Sequence, residues 1–198
     1  MSTNMIATFP VNEVRTQGTA GVGNGVGTAG LDAQLGQRVE IFSNISGVPT
    51  RQVYMLVEAN LSADNFDARG KMFKWQDRTA FQVRPCSATT DVVAGIAPYR
   101  DPMNPAAGTA GAIGISSLDS TDYFWVCVAA DLIEVIHGDD GSNTLEGTTR
   151  FFLTPDNDAD LGKIAGTATF SSGVTCGRFV SGTAGDNVVM TVSLREGV

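Results

Sequence analysis

Apolar positions in this chain alternate in twos far more often than they recur in threes and fours, and that period belongs to pleated strands rather than helices. The densest run is Asp122-Tyr123-Phe124-Trp125-Val126-Cys127-Val128-Ala129-Ala130, in which Tyr123, Trp125 and Cys127 take one side and Phe124, Val126 and Val128 the other. Aromatic and β-branched residues on both sides predict a central strand that meets water on neither face. Asp131-Leu132-Ile133-Glu134-Val135-Ile136-His137 follows at once and predicts a second central strand, closed by the turn residues Gly138-Asp139-Asp140-Gly141. Further strands are predicted at 38–42, 52–58, 149–153 and 164–170. The closing strand has the cleanest alternation, with Val188, Met190, Val192 and Leu194 against Val189, Thr191 and Ser193. Residues 71–75 and 79–84, separated by Gln76-Asp77-Arg78, predict a hairpin.

Between these runs the punctuation changes. Residues 85–121 carry Pro85, Pro98, Pro102 and Pro105 among many glycines; proline cannot donate to a ladder, so long surface loops are expected there, with at most a short strand at 113–116. Residues 1–36 contain Gly18-Thr19-Ala20-Gly21-Val22-Gly23-Asn24-Gly25-Val26-Gly27-Thr28-Ala29-Gly30. Glycine this dense loses too much backbone entropy on ordering to fold alone, which predicts a flexible arm or a segment that orders against a partner. Gly-Thr-Ala-Gly recurs at Gly18, Gly27, Gly108 and Gly182, too irregularly for a solenoid and in keeping with turns. Only 31–35 and 60–67 suggest helix, and both are short. The expectation is an all-β chain, an antiparallel sandwich or barrel over 37–198 with a possible sub-boundary near 85–121, preceded by the arm.

Composition sharpens this picture. Of 198 residues 42% are hydrophobic and only 17% charged, with 23 glycines, so the polar surface must come from Ser, Thr, Asn and Gly, as in turn-rich β proteins. A net charge of -8 argues against a duplex nucleic-acid binder held by phosphates. Cys86, Cys127 and Cys176 are odd in number and far apart, which predicts buried, reduced thiols and assembly in a reducing cytoplasm. The first ten residues lack a charged, then apolar, leader pattern, and no stretch is long enough to span a bilayer, so no membrane partner is expected. Asn44-Ile45-Ser46 and Asn60-Leu61-Ser62 match the glycosylation acceptor by chance in that setting.

Candidate chemistry is sparse. His137, the single histidine, lies at a predicted strand end with no nucleophile elbow around it, so no catalytic residue is assigned. Gly25-Val26-Gly27-Thr28-Ala29-Gly30 fits the dinucleotide pattern without the strand before it or the helix after it. Cys86, Cys127, Cys176 and His137 lack zinc-knuckle spacing. In Asp156-Asn157-Asp158-Ala159-Asp160-Leu161-Gly162 three carboxylates alternate as in a hard-cation loop, but the glycine falls one place late and Thr167 stands where a bidentate Glu belongs. A solvated turn is expected; no metal and no cofactor is assigned. The charge feature that stands out is Arg69, Lys71, Lys74, Arg78 and Arg84 interleaved with Phe73, Trp75 and Phe81. Such a hairpin can place its rings in the core and its cations in water, dock a protein, or stack single-stranded bases. Arg69, Lys71, Phe73, Lys74, Trp75 and Arg78 are the candidate partner-binding residues.

One resemblance is visible. The strand 122–130, the turn from Thr154-Pro155-Asp156 to Gly162, the segment Gly177-Arg178-Phe179-Val180 and the closing strand Asn187-Val188-Val189-Met190-Thr191-Val192-Ser193-Leu194 together resemble the small β-rich head decoration, or cement, proteins of tailed bacteriophages. The resemblance spans about residues 120–198 and rests on strand and turn patterns. It implies a structural, non-enzymatic virion protein, homo-oligomeric as a trimer or dimer. It further implies a place on the exterior of a capsid assembled in the bacterial cytoplasm, where the protein binds the major capsid protein and clamps neighbouring subunits. A tail or fibre protein and a single-stranded nucleic-acid-binding β domain are the other readings the sequence leaves open.

Overall fold

The structure, a computed structural model, describes residues 25–26, 31–32, 35–45, 48–87, 91–99, 115–136, 152–153, 162, 164–165, 177–181 and 189–194. These form β1 (Gly25–Val26), β2 (Leu31–Asp32), β3 (Arg38–Ile45), β4 (Val48–Ala59), β5 (Met72–Asp77), β6 (Gln82–Pro85), β7 (Val93–Ile96), β8 (Tyr123–Ile136), β9 (Phe152–Leu153), β10 (Ile164–Ala165), β11 (Gly177–Ser181) and β12 (Val189–Leu194). The chain is all-β, and no helix occurs among the described residues. Eight strands share one sheet in the order β11-β12-β8-β7-β5-β6-β4-β3, while β1 with β2 and β9 with β10 make two-stranded ladders.

A second pairing changes the shape of that sheet. β4 also pairs antiparallel with β8, from Gln52 opposite Ala130 to Glu58 opposite Tyr123, so β8, β7, β5, β6 and β4 run into a closed ring. The architecture is therefore the barrel alternative, with β3 continuing outward from β4 and β12 and β11 from β8. It is not purely antiparallel, as the sequence predicted, because β4 meets β6 in parallel at Glu58 and Ala59. The reason lies on one edge of β4. β3 occupies it as far as Met55 opposite Arg38, and beyond that point the Glu58 and Asn60 amides donate instead to the Phe81 and Val83 carbonyls.

Strand alternation divides the apolar residues into two cores. Met55, Val57 and Ala59 of β4, Phe73 of β5, Val83 of β6, Ala94 of β7 and Phe124, Val126 and Val128 of β8 form one cluster, which draws on every strand of the ring. Tyr54, Leu56, Met72, Ile96, Tyr123, Trp125 and Cys127, with Ile41 of β3 and Ile133 and Val135 of β8, form the other on the opposite face. Each large side chain buried in this way stabilises the fold by about 1.5–3 kcal/mol. Both faces of residues 123–128 are buried, as the alternation required.

The two predicted central strands are one. β8 runs unbroken through Asp131, which is exposed; its carboxylate accepts the Arg51 amide at 3.2 Å, so a charged residue sits in mid-strand without ending it. The two halves instead have different neighbours, β4 over 123–130 and β12 over 130–136. The 71–84 hairpin is present as β5 and β6. Residues 85–121 are less loop-like than proline suggested: β7 crosses them and joins β8 through Ile96 opposite Cys127. Gly95 makes that seam possible, since a Cβ there would lie 2.7 Å from the Cys127 carbonyl oxygen. The suggested helices are absent where described. Leu31–Asp32 is strand, and 60–67 is bent around Asn65, whose φ of 61° no helix tolerates.

Most of the arm, with Cys176, His137, the 138–141 turn, the Asp156–Gly162 acidic loop apart from Gly162, and all four Gly-Thr-Ala-Gly repeats, lies outside the described residues. At the arm's end Leu35 packs on the second core and the Gly36 amide donates to the Leu56 carbonyl at 2.8 Å.

Candidate functional site

The basic and aromatic residues singled out from sequence lie on β5, β6 and their connections, and strand alternation sends them to opposite faces. Phe73 is fully buried, edge-on to Phe124 at 5.0 Å and to Phe66 at 6.0 Å between centroids. Lys74 faces the other way and is 8% exposed, with Nζ 2.8 Å from Asp91 Oδ1 and 2.9 Å from Ser87 Oγ. Both side chains are thus taken up inside the fold, because the run Met72-Phe73-Lys74-Trp75 lies in a strand of a closed barrel, with no water-facing side at its centre.

Four of the remaining candidates reach the surface. Arg69 is held by Asp67, its Nε 2.7 Å from Oδ1. Burial pushes the Asp67 carboxyl up, but the Arg69 hydrogen bonds and charge outweigh it and leave the group below its ordinary value. Lys71 Nζ stands 4.4 Å above the Phe66 ring, a cation–π contact. Trp75 is half-buried, edge-on to Phe81 at 6.5 Å, and the Arg78 guanidinium lies 5.9 Å from its ring.

The turn that carries Arg78 is rigidly specified. Asp77 Oδ1 accepts the Thr79 amide at 2.8 Å, the Thr79 hydroxyl at 2.7 Å and the Ala80 amide at 3.3 Å, and these bonds hold the Asp77 carboxyl below its usual range. Phe81 then adopts φ 54°, unusual for an aromatic residue, and its ring fills the space a side chain at Gly36 would need.

Beside this hairpin runs a groove of about 470 Å³, lined by Asn60, Leu61, Ser62, Ala63 and Phe66 on one wall and Arg84, Pro85 and Ser87 on the other. Arg84 is exposed and makes no ion pair among the described residues. The Lys74–Asp91–Ser87 triad fixes the second wall, since Asp91 Oδ2 also accepts the Ser87 amide at 2.8 Å. Sequence reasoning missed the first wall. Its residues read as a short helical turn, and the Phe66–Leu118 bridge, which joins segments far apart in sequence, brings Phe66 into place. Guanidinium groups beside half-buried rings suit recognition of carboxylates and polar loops of another protein. Among the described residues no cluster of His, Cys, Asp and Glu could hold a metal ion.

No protein-family model matches this chain. No curated protein matches it either. Among solved structures, a chain from the capsid of Myoviridae phage XM1 aligns over 86% of this chain and 100% of its own length, with 18% sequence identity and a TM-score of 0.49.

Proposed function

We propose that this protein is a structural component of a phage virion that binds the outer surface of the assembled capsid and cements neighbouring shell subunits. The observation that carries the reading is the β5–β6 hairpin corner, which bears Arg78 beside the Trp75 ring and, on its second strand, Arg84 in the wall of the Phe66 groove. In a chain of net charge -8, exposed guanidinium groups are concentrated beside partly covered aromatic rings on a rigid barrel. Such a corner meets an acidic loop of a shell subunit with charge-assisted hydrogen bonds and a small apolar anchor. Copies arrayed on a lattice then turn modest single contacts into firm retention. The strands that carry the sequence resemblance, β8, β11 and β12, form one contiguous edge of the sheet and leave this corner to the other strands. The role requires no catalytic group.

The test is co-sedimentation of the full chain with empty heads of the virus that encodes it. Saturable binding at a fixed ratio to the shell subunit is expected, with at least a tenfold loss for Arg78→Glu combined with Arg84→Glu. No binding to heads overturns the reading. Binding to tails, or to single-stranded DNA with a steep salt dependence, would then select between the other two readings.

A further inference from the structure

The groove beside the β5–β6 hairpin has its cause in the sheet. β4 and β6 run parallel with Glu58 opposite Gln82 and Ala59 opposite Val83, and the Asn60 amide donates to the Val83 carbonyl at 2.8 Å. The next rung of a parallel ladder would be an amide at position 85 donating to the Asn60 carbonyl, and Pro85 has no N–H to give. The Ser87 amide, two residues on, is taken by the Asp91 carboxylate at 2.8 Å. The two strands therefore part, and the space between residues 60–63 and 84–87 is the groove.

The charge at this opening is unbalanced. Register sets Lys74 of β5 directly opposite Arg84 of β6, two cations on one face of an antiparallel pair, an arrangement that costs stability. Asp91 offsets one of them only, since its carboxylate holds Lys74 Nζ at 2.8 Å and the Ser87 amide. The Arg84 guanidinium is exposed and has no hydrogen bond or ion pair among the described residues. The other wall does not answer it, because the one carboxylate within residues 60–66, Asp64, accepts the Ser120 amide at 3.5 Å. In a chain of net charge -8 the set Lys74, Arg84 and Asp91 is left with a cation in excess.

We propose that the groove receives one carboxylate side chain, Asp or Glu, of the shell subunit and that Arg84 is the residue that selects it, an inference that rests on the shell-binding role given above. A guanidinium grips a carboxylate through two parallel N–H bonds, a planar match that an amide or hydroxyl side chain cannot return. Leu61, Phe66 and Pro85 give the groove its apolar lining, which lowers screening of that pair, and the Asn60 amide and Ser87 hydroxyl add uncharged donors beside it. A volume of about 470 Å³ holds such a side chain together with an apolar neighbour. Arg78 is placed differently, with its guanidinium 5.9 Å from the Trp75 ring, so part of its charge is already met within the chain. Lys74 has a task in the fold, the pairing with Asp91, and Arg84 has none; a like-charge opposition kept without a gain to the fold marks a binding position.

The test is co-sedimentation of the full chain with empty heads before and after the shell carboxylates are converted to neutral amides with a carbodiimide and ethanolamine. The native chain should bind treated heads about tenfold more weakly than untreated ones. Arg84→Gln should lose about tenfold on untreated heads and respond about threefold less to the treatment than the native chain, while Arg84→Lys, which keeps the charge without the fork, should fall between the two. Arg84→Gln should also raise the melting temperature by about 1–3 °C, because it removes the like-charge opposition. Binding that Arg84→Gln leaves unchanged, equal losses on treated heads for both proteins, or a lowered melting temperature for Arg84→Gln overturns this inference alone and leaves the shell-binding role standing. No binding of the native chain to untreated heads overturns both.

Discussion

Removing the Asp91 carboxylate should cost far more than its place in a loop suggests. Lys74 and Asp91 side chains are only 10% and 13% exposed, their charged atoms are 2.8 Å apart, and Asp91 also takes the Ser87 amide. With so little water to screen it, Asp91→Ala leaves an ammonium facing one hydroxyl. The cost of breaking such a pair is several kcal/mol, and about 3 kcal/mol is expected because a tenth of each group still meets solvent. Lys74→Met leaves Asp91 with the Ser87 amide and should cost about 2 kcal/mol. The double variant, Lys74→Met with Asp91→Leu, should cost about 2 kcal/mol rather than the sum of the singles, a coupling of about 3 kcal/mol. Thermal and urea unfolding at neutral pH measure this: Asp91→Ala should lower the melting temperature by about 6–12 °C for a chain of this size. An Asp91→Ala cost below about 1 kcal/mol, or singles that simply add, would show that the pair is screened like a surface ion pair and that the argument from burial is wrong.

Three further outcomes are expected. Gly95→Ala drives a Cβ to 2.7 Å from the Cys127 carbonyl and 2.9 Å from Val126 at the single register position joining β7 to β8, so it should lower stability by about 2–3 kcal/mol in urea titration, and a neutral result would mean that the seam can open. Burial raises the Asp122 carboxyl above its ordinary value of 3.8, with the Asp119 and Asp64 charges adding to it against the Asp119 amide bond. The native state therefore binds this proton before the unfolded chain does, stability contributed by the group falls as pH rises above the ordinary carboxylate value, and Asp122→Asn should flatten the slope there in pH-dependent urea titrations. In a Cys176→Ser background, Cys86 and Cys127 should resist thiol reagents until the chain unfolds, because both are buried and burial pushes the Cys127 thiol well up; rapid labelling of the native protein would contradict the core assignment.

How far the sequence could be read depended on whether a residue's neighbours were local. The two-sided burial of 123–128 was legible because six consecutive apolar residues leave a strand no polar face. The β5–β6 hairpin was legible because its two arms are adjacent in sequence. The predicted break at Asp131 was not real, since its compensation is the Arg51 amide, 80 residues away. β7 was hidden because Val93-Ala94-Gly95-Ile96 has little strand character, and its place depends on the close approach to β8 that Gly95 permits. Within the candidate site, composition marked Arg78, Trp75 and Arg84 but could not separate them from Phe73 and Lys74.

The sequence by itself therefore determined the all-β character, the central strand and the hairpin, since each follows from short-range alternation and turn residues. Ring closure through β4 and β8, the parallel meeting of β4 with β6 and the burial of Lys74 against Asp91 were decided by the tertiary structure alone. Each of these depends on which distant segment occupies the second edge of a strand, and one strand's pattern specifies its faces but not the neighbours along its edges.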